Sequence, residues 1–437
     1  MKQIIAISLV VLGAFTAWGQ VPTPGASQSK KILMLGGIAH LGNGAVIQNS
    51  AIAFENGKLT IVGDATTMRL DIAYFDEVIK IQGKHVYPGL LAPNSRLGLF
   101  EIGAVKATLD QDEIGPMLPH VRSIIAYNTD SKIIPTVRTN GVLLAEIAPK
   151  GGVISGSSSV VHLDAWNWED AAVATEVGIH LRWPDLLKRT GWWAEPGKVV
   201  KNDSNLAQVK RIREFFARAK AYCDLPVPAP TNLRYEAMRG VFEGQQTLFV
   251  HTNYAREIVQ AVNLKREYEI PKMAIVGGYD AYLLTQLLKE NKVAVVLGRL
   301  HRLPLRPEDD VDLPYKLPGL LLKDSITVCL DYAGDMEVMG TRNLPFLAGT
   351  AAAYGLDREK ALQLITLNPA RIMGIDHLVG SLAVGKNATL FVSEGDALDM
   401  RTNAVTMAYI DGRALDLSNH QEALYEKFKA KYEAADQ

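Results

Sequence analysis

Apolar runs alternate with segments of helical periodicity through the middle of this 437-residue chain, and this alternation limits its fold more than any other feature. The runs at 247–251, 273–276 and 293–297 are separated by segments whose apolar residues recur with helical spacing. Strand–helix–strand units of this length favour parallel strands covered by helices on both faces. The alternation therefore predicts an α/β domain, with the sheet either open or closed into a barrel.

Short alternating strands bracket this region at both ends of the chain. Asn56-Gly57 separates two such runs near the start, and Asp411-Gly412 separates two near the end. Both dipeptides are typical of two-residue hairpin turns, because their residues tolerate positive φ. We therefore expect one small β-domain assembled from both ends of the chain, with the strand–helix region inserted between its halves.

The start of the chain has the features of a secretory signal peptide. Lys2 supplies a positive charge, residues 4–15 are apolar, and residues 17–19 form a small-residue cleavage site. The apolar run is too short for a comfortable membrane span. We expect residues 1–19 to be removed during export to the periplasm or the exterior, which leaves no membrane span in the mature chain.

Charge and cysteine content narrow the classes of partner. The formal net charge is −1, so the sequence has no basic footprint for nucleic acid or for an anionic membrane. We therefore expect a small molecule or another protein as partner. The two cysteines, Cys223 and Cys329, can pair in an oxidising compartment, but two buried unpaired thiols are the expected state.

Several segments, in order, resemble the amidohydrolase superfamily, and within it the branch related to imidazolonepropionase. Residues 86–91 (VYPGLL) are similar to the lead into the first barrel strand of that family. Residues 36–63 and 379–390 resemble the two halves of its β-sandwich. Residues 343–346 and 366–372 resemble the segments around the last barrel helices.

This resemblance implies the fold and its division into domains. A (β/α)8 TIM-type barrel is expected over residues 87–375. A small β-sandwich domain is expected from residues 20–86 together with residues 376–437. The implied fold belongs to the α/β class that the alternation of strands and helices also predicts.

The metal-binding motif of the superfamily is altered in this chain. In the family, the proline-glycine segment leads into a His-x-His pair, whose members project from the same face of a strand and reach one ion. The matching positions carry Asn94 and Arg96. Asparagine is a poor zinc ligand, and arginine is a permanent cation that repels a divalent ion. The motif therefore predicts an impaired metal site.

The other ligand positions implied by the resemblance are only partly retained. His251 matches the histidine of the fifth barrel strand, whereas the next strand ends in Gly277-Gly278, where many active members have another histidine. Asp331 is the candidate for the aspartate of the last strand, which serves as ligand and general base. Catalytic zinc sites generally use three protein ligands and a water, so His251 and Asp331 alone are insufficient.

Other residues are candidates to complete such a site. His301 follows a strand on the side where barrel enzymes build their active sites, although the same position suits a histidine of a surface loop. Glu146 and Lys150 can bridge or be modified. Glu146 can equally pair with Arg96 or Arg138, and Lys150 can be a solvated loop residue.

Three functions remain open at this stage. The favoured one is a homologue with an impaired metal site, which binds a ligand or stabilises an active partner and holds no metal. Its pocket would include Asn94, Arg96, Gly277 and Gly278, and the Arg96 guanidinium favours an anionic ligand such as a carboxylate.

The second function is an active hydrolase of non-peptide C–N bonds in cyclic amides or acyl-amino acids. It would hold one zinc ion on His251, His301 and Asp331, and Asp331 would shuttle the proton. The third is a purely structural subunit, in a homo-oligomer or in a heteromer with an active amidohydrolase.

Overall fold

The computed structural model describes residues 22–192, 194–332 and 338–433. The predicted signal peptide, residues 1–19, lies outside the described residues. Within those ranges, no helix is both long enough and apolar enough to cross a membrane.

The strands of the described chain are β1 (Ile32–His40), β2 (Val46–Glu55), β3 (Lys58–Asp64), β4 (Glu77–Lys80), β5 (His85–Pro88), β6 (Leu90–Ser95), β7 (Val142–Ile147), β8 (Ile154–His162), β9 (Ala172–Arg182), β10 (Leu187–Gly191), β11 (Pro196–Lys201), β12 (Thr247–Thr252), β13 (Met273–Gly277), β14 (Val293–Leu297), β15 (Val328–Leu330), β16 (Leu390–Ser393), β17 (Val405–Ile410) and β18 (Arg413–Ala414).

The α-helices are α1 (Ile134–Arg138), α2 (Trp168–Ala171), α3 (Asn205–Cys223), α4 (Leu233–Glu236), α5 (Arg239–Glu243), α6 (Ala255–Glu267), α7 (Thr285–Glu290), α8 (Leu313–Lys323), α9 (Leu344–Ala353), α10 (Arg358–Gln363), α11 (Leu367–Ile372) and α12 (His420–Glu433). Short 3-10 helices lie at Ile72–Tyr74, Lys106–Thr108, Ser123–Ala126, Ala281–Leu284 and Val338–Asn343.

Strands from both ends of the chain form one sheet, as the sequence predicts. Its order is β18-β17-β16-β5-β1-β2-β3, and β4 pairs in parallel with β1. The two halves meet where β5 pairs antiparallel with β16. All eight strands are hydrogen-bonded into a single sheet, which supports a small composite β-domain but not its division into the two sheets of a sandwich.

The two predicted hairpins of this sheet are confirmed. Asn56 and Gly57 have φ values of 49° and 76°, and Asp411 and Gly412 have φ values of 48° and 73°. The first pair connects β2 to β3 and the second connects β17 to β18, both antiparallel. Positive φ at both turn residues matches the twist of the flanking strands, which explains the choice of Asn-Gly and Asp-Gly.

The second large sheet is a nearly closed barrel of eight strands, in the order β6-β7-β8-β9-β12-β13-β14-β15. Residues 364–365 link its two edge strands. The Leu330 N–H donates to the Leu364 carbonyl at 3.0 Å, and the Leu91 N–H donates to the Ile365 carbonyl at 2.9 Å. These bonds occupy part of both edges, which protects them from pairing with another chain.

One barrel strand differs from the all-parallel arrangement that the resemblance implies. β8 runs antiparallel to both β7 and β9, whereas the pairs from β9 to β15 are parallel. The connection from β7 to β8 spans only residues 148–153 and turns through Gly151 and Gly152, which have φ values of 100° and 58°. A short turn can join antiparallel strands, but a parallel pair needs a crossover connection.

The barrel interior is apolar at one level and polar at another. Side chains such as Leu91, Leu144, Phe249, Val276 and Val296 pack together in its core. Polar residues stand at the carboxyl ends of the parallel strands, the end at which barrels of this kind build their functional sites.

Candidate ligand site in the barrel

Asn94, at the end of the first barrel strand, is held in an unusual backbone conformation. Its φ is 47°, and the pairing of β6 with β7 shifts by one residue between Ala92 and Ser95. Asparagine tolerates this left-handed region better than most residues. The Asn94 amide Nδ2 donates to Oδ2 of Asp331 at 2.7 Å, so the first and last barrel strands are tied together at their ends.

Glu146, from β7, is a fully buried carboxylate with several hydrogen-bond donors around it. Its Oε2 accepts from the Asn94 N–H at 2.9 Å, and its Oε1 accepts from the Ser158 hydroxyl at 2.6 Å. Nε2 of His180 lies 3.2 Å from Oε1. Burial alone would raise the pKa of Glu146, but the His180, Ser158 and Asn94 donors outweigh it and lower that pKa. Glu146 is therefore ionised, and it pairs with none of the arginines considered from the sequence.

His180 and His251 continue this chain of hydrogen bonds. Nδ1 of His180 lies 2.9 Å from Nε2 of His251, and the His180 ring stacks on Phe249. Burial, with smaller contributions from the neighbouring His180, Arg182 and Lys150, lowers the pKa of His251 well below its usual range. A carboxylate only accepts, so His180 donates from Nε2 to Glu146 and accepts the Nε2–H of His251. This assignment makes Nδ1 the basic nitrogen of neutral His251.

Arg96 lies just beyond β6 and is almost fully buried. Its Nη1 donates to Oε1 of Gln111 at 2.8 Å, and its guanidinium stands 5.0 Å from the centre of the Phe100 ring. Its Nη2 is buried without a hydrogen-bond partner among the described residues. Burial lowers the pKa of Arg96, an effect that Asp331 partly opposes, but the group remains a cation.

A cavity of about 140 Å³ opens above these side chains. Its lining combines cationic and polar groups with two apolar residues and includes no carboxylate among the described residues; the members are Asn94, Arg96, Ala148, Pro149, Lys150, Ser155, Arg182 and His251. Burial and the nearby Arg96 and Arg182 lower the pKa of Lys150 to about 8, although Asp112 opposes this shift. The described lining thus carries three cationic side chains, Arg96, Lys150 and Arg182.

Two residues expected in this pocket lie outside its lining. Gly277 and Gly278, at the end of β13, have φ values of 98° and 60°. The Gly278 N–H donates to the Thr252 carbonyl at 2.8 Å, and a β-carbon at Gly277 would approach Oδ1 of Asn253 to 2.7 Å. These glycines therefore serve the tight turn after the strand, where a side chain would be strained.

The three proposed zinc ligands are not brought together. Nε2 of His301 hydrogen-bonds Oγ1 of Thr350 at 2.7 Å, His251 pairs with His180, and Asp331 accepts from Asn94. In the part of the chain that the structure describes, no three His, Cys, Asp or Glu side chains form a group able to hold a metal ion. Among these described residues, the candidate ligands therefore do not form the zinc site that the resemblance implies.

His180 and Arg182 belong to the site but were not predicted from the sequence. They stand two positions apart at the end of β9, the spacing that projects two side chains to one face of a strand. The alternation of apolar and polar residues near the end of the segment 172–182 was the sequence signal that could have identified them. Cys223 and Cys329 are both free, as expected, but only Cys329 is buried, whereas Cys223 is partly exposed.

The chain is similar in sequence to several known proteins. A family model described as the amidohydrolase family matches residues 283–415. The amidohydrolase tasK of Hapsidospora irregularis is 21% identical over 431 aligned residues, covering 91% of this chain and 42% of that protein. An adenine deaminase of Clostridium botulinum is 22% identical over 373 residues, covering 84% of this chain and 54% of that protein. The chain thus spans about half, or less, of the length of these curated relatives.

The fold also has a solved counterpart. An amidohydrolase from Thermotoga maritima MSB8 superposes with a TM-score of 0.75 at 24% identity, covering 88% of this chain and 99% of that one. The likeness establishes the shared fold. The sequence similarity to the amidohydrolase family model is limited to residues 283–415.

Proposed function

We propose that this protein is a metal-free member of the amidohydrolase superfamily and that it binds a small anion, such as a carboxylate, in the barrel cavity. One observation carries the proposal. The Arg96 guanidinium lines the cavity, and its buried Nη2 has no hydrogen-bond partner within the described residues. A buried donor without a partner is costly, and a carboxylate oxygen would satisfy it with a charge-assisted bond.

The charge of the cavity supports the same ligand class. Lys150 and Arg182 join Arg96 in the lining, and their mutual repulsion contributes to the lowered pKa of Lys150. A bound anion would relieve this repulsion. A cationic ligand would add to it, so the cavity discriminates by charge as well as by shape.

The hydrogen-bond chain beneath the cavity argues against zinc chemistry. Asp331, Glu146 and His251 each have a protein partner, and Arg96 would repel a divalent ion. We therefore propose a binding function in place of metal-dependent hydrolysis. We also place the chain in the imidazolonepropionase-related branch, on the strength of residues 86–91 and 379–390.

Calorimetric titration with propionate, and with propylamine as the cation of matched size, tests the binding function. We expect propionate to bind and propylamine not to bind. A charge-assisted hydrogen bond is worth about 1.5–3 kcal/mol, so Arg96→Met should weaken propionate binding by roughly 10- to 150-fold. Arg401→Met, at an exposed arginine that pairs with Asp399, is the matched control. Equal affinity for the two probes, or unchanged affinity in Arg96→Met, would overturn the proposal.

A zinc-retention measurement tests the metal-free part. The purified chain is loaded with zinc, freed of excess metal and analysed by elemental mass spectrometry, and we expect no stoichiometric zinc. About one zinc per chain, lost in His251→Ala or Asp331→Ala, would instead favour the rearranged hydrolase site.

Export and assembly complete the proposal. We propose that residues 1–19 direct the chain out of the cytoplasm and that the mature protein forms a homo-oligomer or a heteromer with an active amidohydrolase. Light scattering of the mature chain, alone and mixed with such a relative, tests the assembly.

A further inference from the structure

Lys150 places an amine in the same cavity as the anion-binding Arg96 guanidinium. We propose that Lys150 forms an imine with the carbonyl group of a small oxo acid whose carboxylate is held by Arg96. The inference rests on the proposed function, because the cavity must bind the anion before the amine can react with it. It adds a covalent step and a narrower ligand class, the 2-oxo acids.

Gln111 fixes the relative position of these two groups. Its carbonyl oxygen accepts from the Lys150 N–H at 2.6 Å, and its side-chain Oε1 accepts from Nη1 of Arg96 at 2.8 Å. One residue thus holds both the backbone of the lysine and the guanidinium. A ligand whose carboxylate meets Arg96 would present its adjacent carbonyl carbon within the same small cavity.

The loop that follows Lys150 is also closely packed. The Gly151 carbonyl accepts from Oγ of Ser155 at 2.6 Å, and a β-carbon at Gly152 would lie 2.7 Å from the Gly115 carbonyl oxygen. Gly152 itself has positive φ. The loop therefore has little room to change conformation, and Lys150 remains at the cavity wall.

The electrostatic setting makes Lys150 more reactive than a surface lysine. Burial and the adjacent cations Arg96 and Arg182 lower its pKa to about 8. Desolvation and neighbouring positive charge are established ways to activate an amine nucleophile. Near neutral pH, the neutral fraction of such an amine is roughly 300-fold larger than that of an ordinary lysine.

The reaction balances without an oxidant or a reductant. The neutral Lys150 nitrogen attacks the carbonyl carbon, and the π electrons of the C=O bond move to oxygen. One proton passes from nitrogen to that oxygen to give a carbinolamine. The second nitrogen proton passes to the hydroxyl, the C–O bond breaks as water leaves, and the nitrogen electron pair forms C=N. His251 lines the same cavity.

The size of the cavity suits this ligand class. A volume of about 140 Å³ is close to that of an engineered protein cavity that accommodates benzene, a molecule of about six non-hydrogen atoms. Pyruvate and glyoxylate do not exceed that size. Larger oxo acids would have to extend through the cavity mouth.

Reductive trapping tests the inference. The purified chain is incubated with pyruvate and with glyoxylate, reduced with borohydride, digested and mapped by mass spectrometry. We expect one reduced adduct on Lys150, formed near neutral pH at least about tenfold faster than on exposed lysines, since lower basicity offsets part of the gain in neutral amine. Lys150→Arg keeps the charge and should abolish the adduct, whereas Lys429→Arg, on the exposed helix α12, should not.

A carbonyl-free analogue separates this inference from the proposed function. Lactate has the carboxylate of pyruvate with a hydroxyl in place of the ketone, so its binding reports the anion site alone. Lactate binding without an adduct on Lys150, or with adducts spread evenly over surface lysines, overturns the imine and leaves the binding function intact. Failure of lactate, pyruvate and glyoxylate to bind overturns both.

Discussion

Replacement of Glu146 is the most informative test of the buried hydrogen-bond chain. Glu146→Ala removes the acceptor of the Asn94 N–H and of His180 Nε2, while the Ser158 hydroxyl retains the Gly178 carbonyl at 3.5 Å as an alternative. One fully buried donor, on His180, and one partly buried donor, on Asn94, thus lose their partner. Each such loss costs about 1–3 kcal/mol, so we expect a destabilisation of roughly 2–6 kcal/mol.

Glu146→Gln is the matched control. Its carbonyl oxygen can occupy the Oε1 position and accept from His180 and Ser158, but its amide group then faces the Asn94 N–H. One donor is left without an acceptor, so about 1–3 kcal/mol is expected. The order of stability should be wild type, then Glu146→Gln, then Glu146→Ala.

Thermal unfolding followed by calorimetry and by tryptophan fluorescence measures this order. Trp183 is a suitable probe because its side chain is buried and its backbone N–H donates to the His251 carbonyl. For a domain of this size, about 1 kcal/mol corresponds to roughly 2 °C in Tm, so Glu146→Ala should melt about 4–12 °C below wild type. A Tm within about 1 °C of wild type, or a Glu146→Gln variant less stable than Glu146→Ala, would refute the role given to Glu146.

Three further results are expected. Because the pKa of Glu146 is lowered in the folded state, its stabilisation is present above the ordinary glutamate pKa and lost in acid, so the Tm difference from Glu146→Gln should shrink there. Propionate binding should weaken as pH rises through about 8, where Lys150 loses its charge, but not in Lys150→Arg; calorimetry across pH decides. Gly349→Ala should lower the Tm by placing a methyl group against the Leu398 carbonyl, whereas Gly319→Ala, with open space around it, should raise it slightly.

The sequence predicted the fold class because the determining signals are local. The apolar runs that became β12, β13 and β14 are continuous in the chain and of strand length. The Asn-Gly and Asp-Gly turns act over two residues. The altered positions Asn94 and Arg96 were also identifiable, because a strand places i and i+2 on one face regardless of what lies beyond it.

The contacts among distant residues were not predictable in the same way. The pairs Asn94–Asp331 and Glu146–His180 join residues 237 and 34 positions apart, and no periodicity records which strand ends face each other. Whether Glu146 would meet an arginine or a histidine depended on its position inside the barrel. The donors gathered around Glu146 then decided its ionisation, because burial alone would raise its pKa and favour the neutral acid.

The sequence by itself determined that this chain builds an α/β barrel with a composite β-domain and that the paired metal-binding histidines are absent. Only the tertiary structure decided that Arg96, Lys150 and Arg182 share one cavity, that Gly277 and Gly278 lie outside it, and that His251 pairs with His180. The physical reason is the distance along the chain over which each interaction acts. Turn preference and strand periodicity act between neighbours in the chain, whereas the charge and hydrogen bonding of a site depend on side chains that only folding brings together.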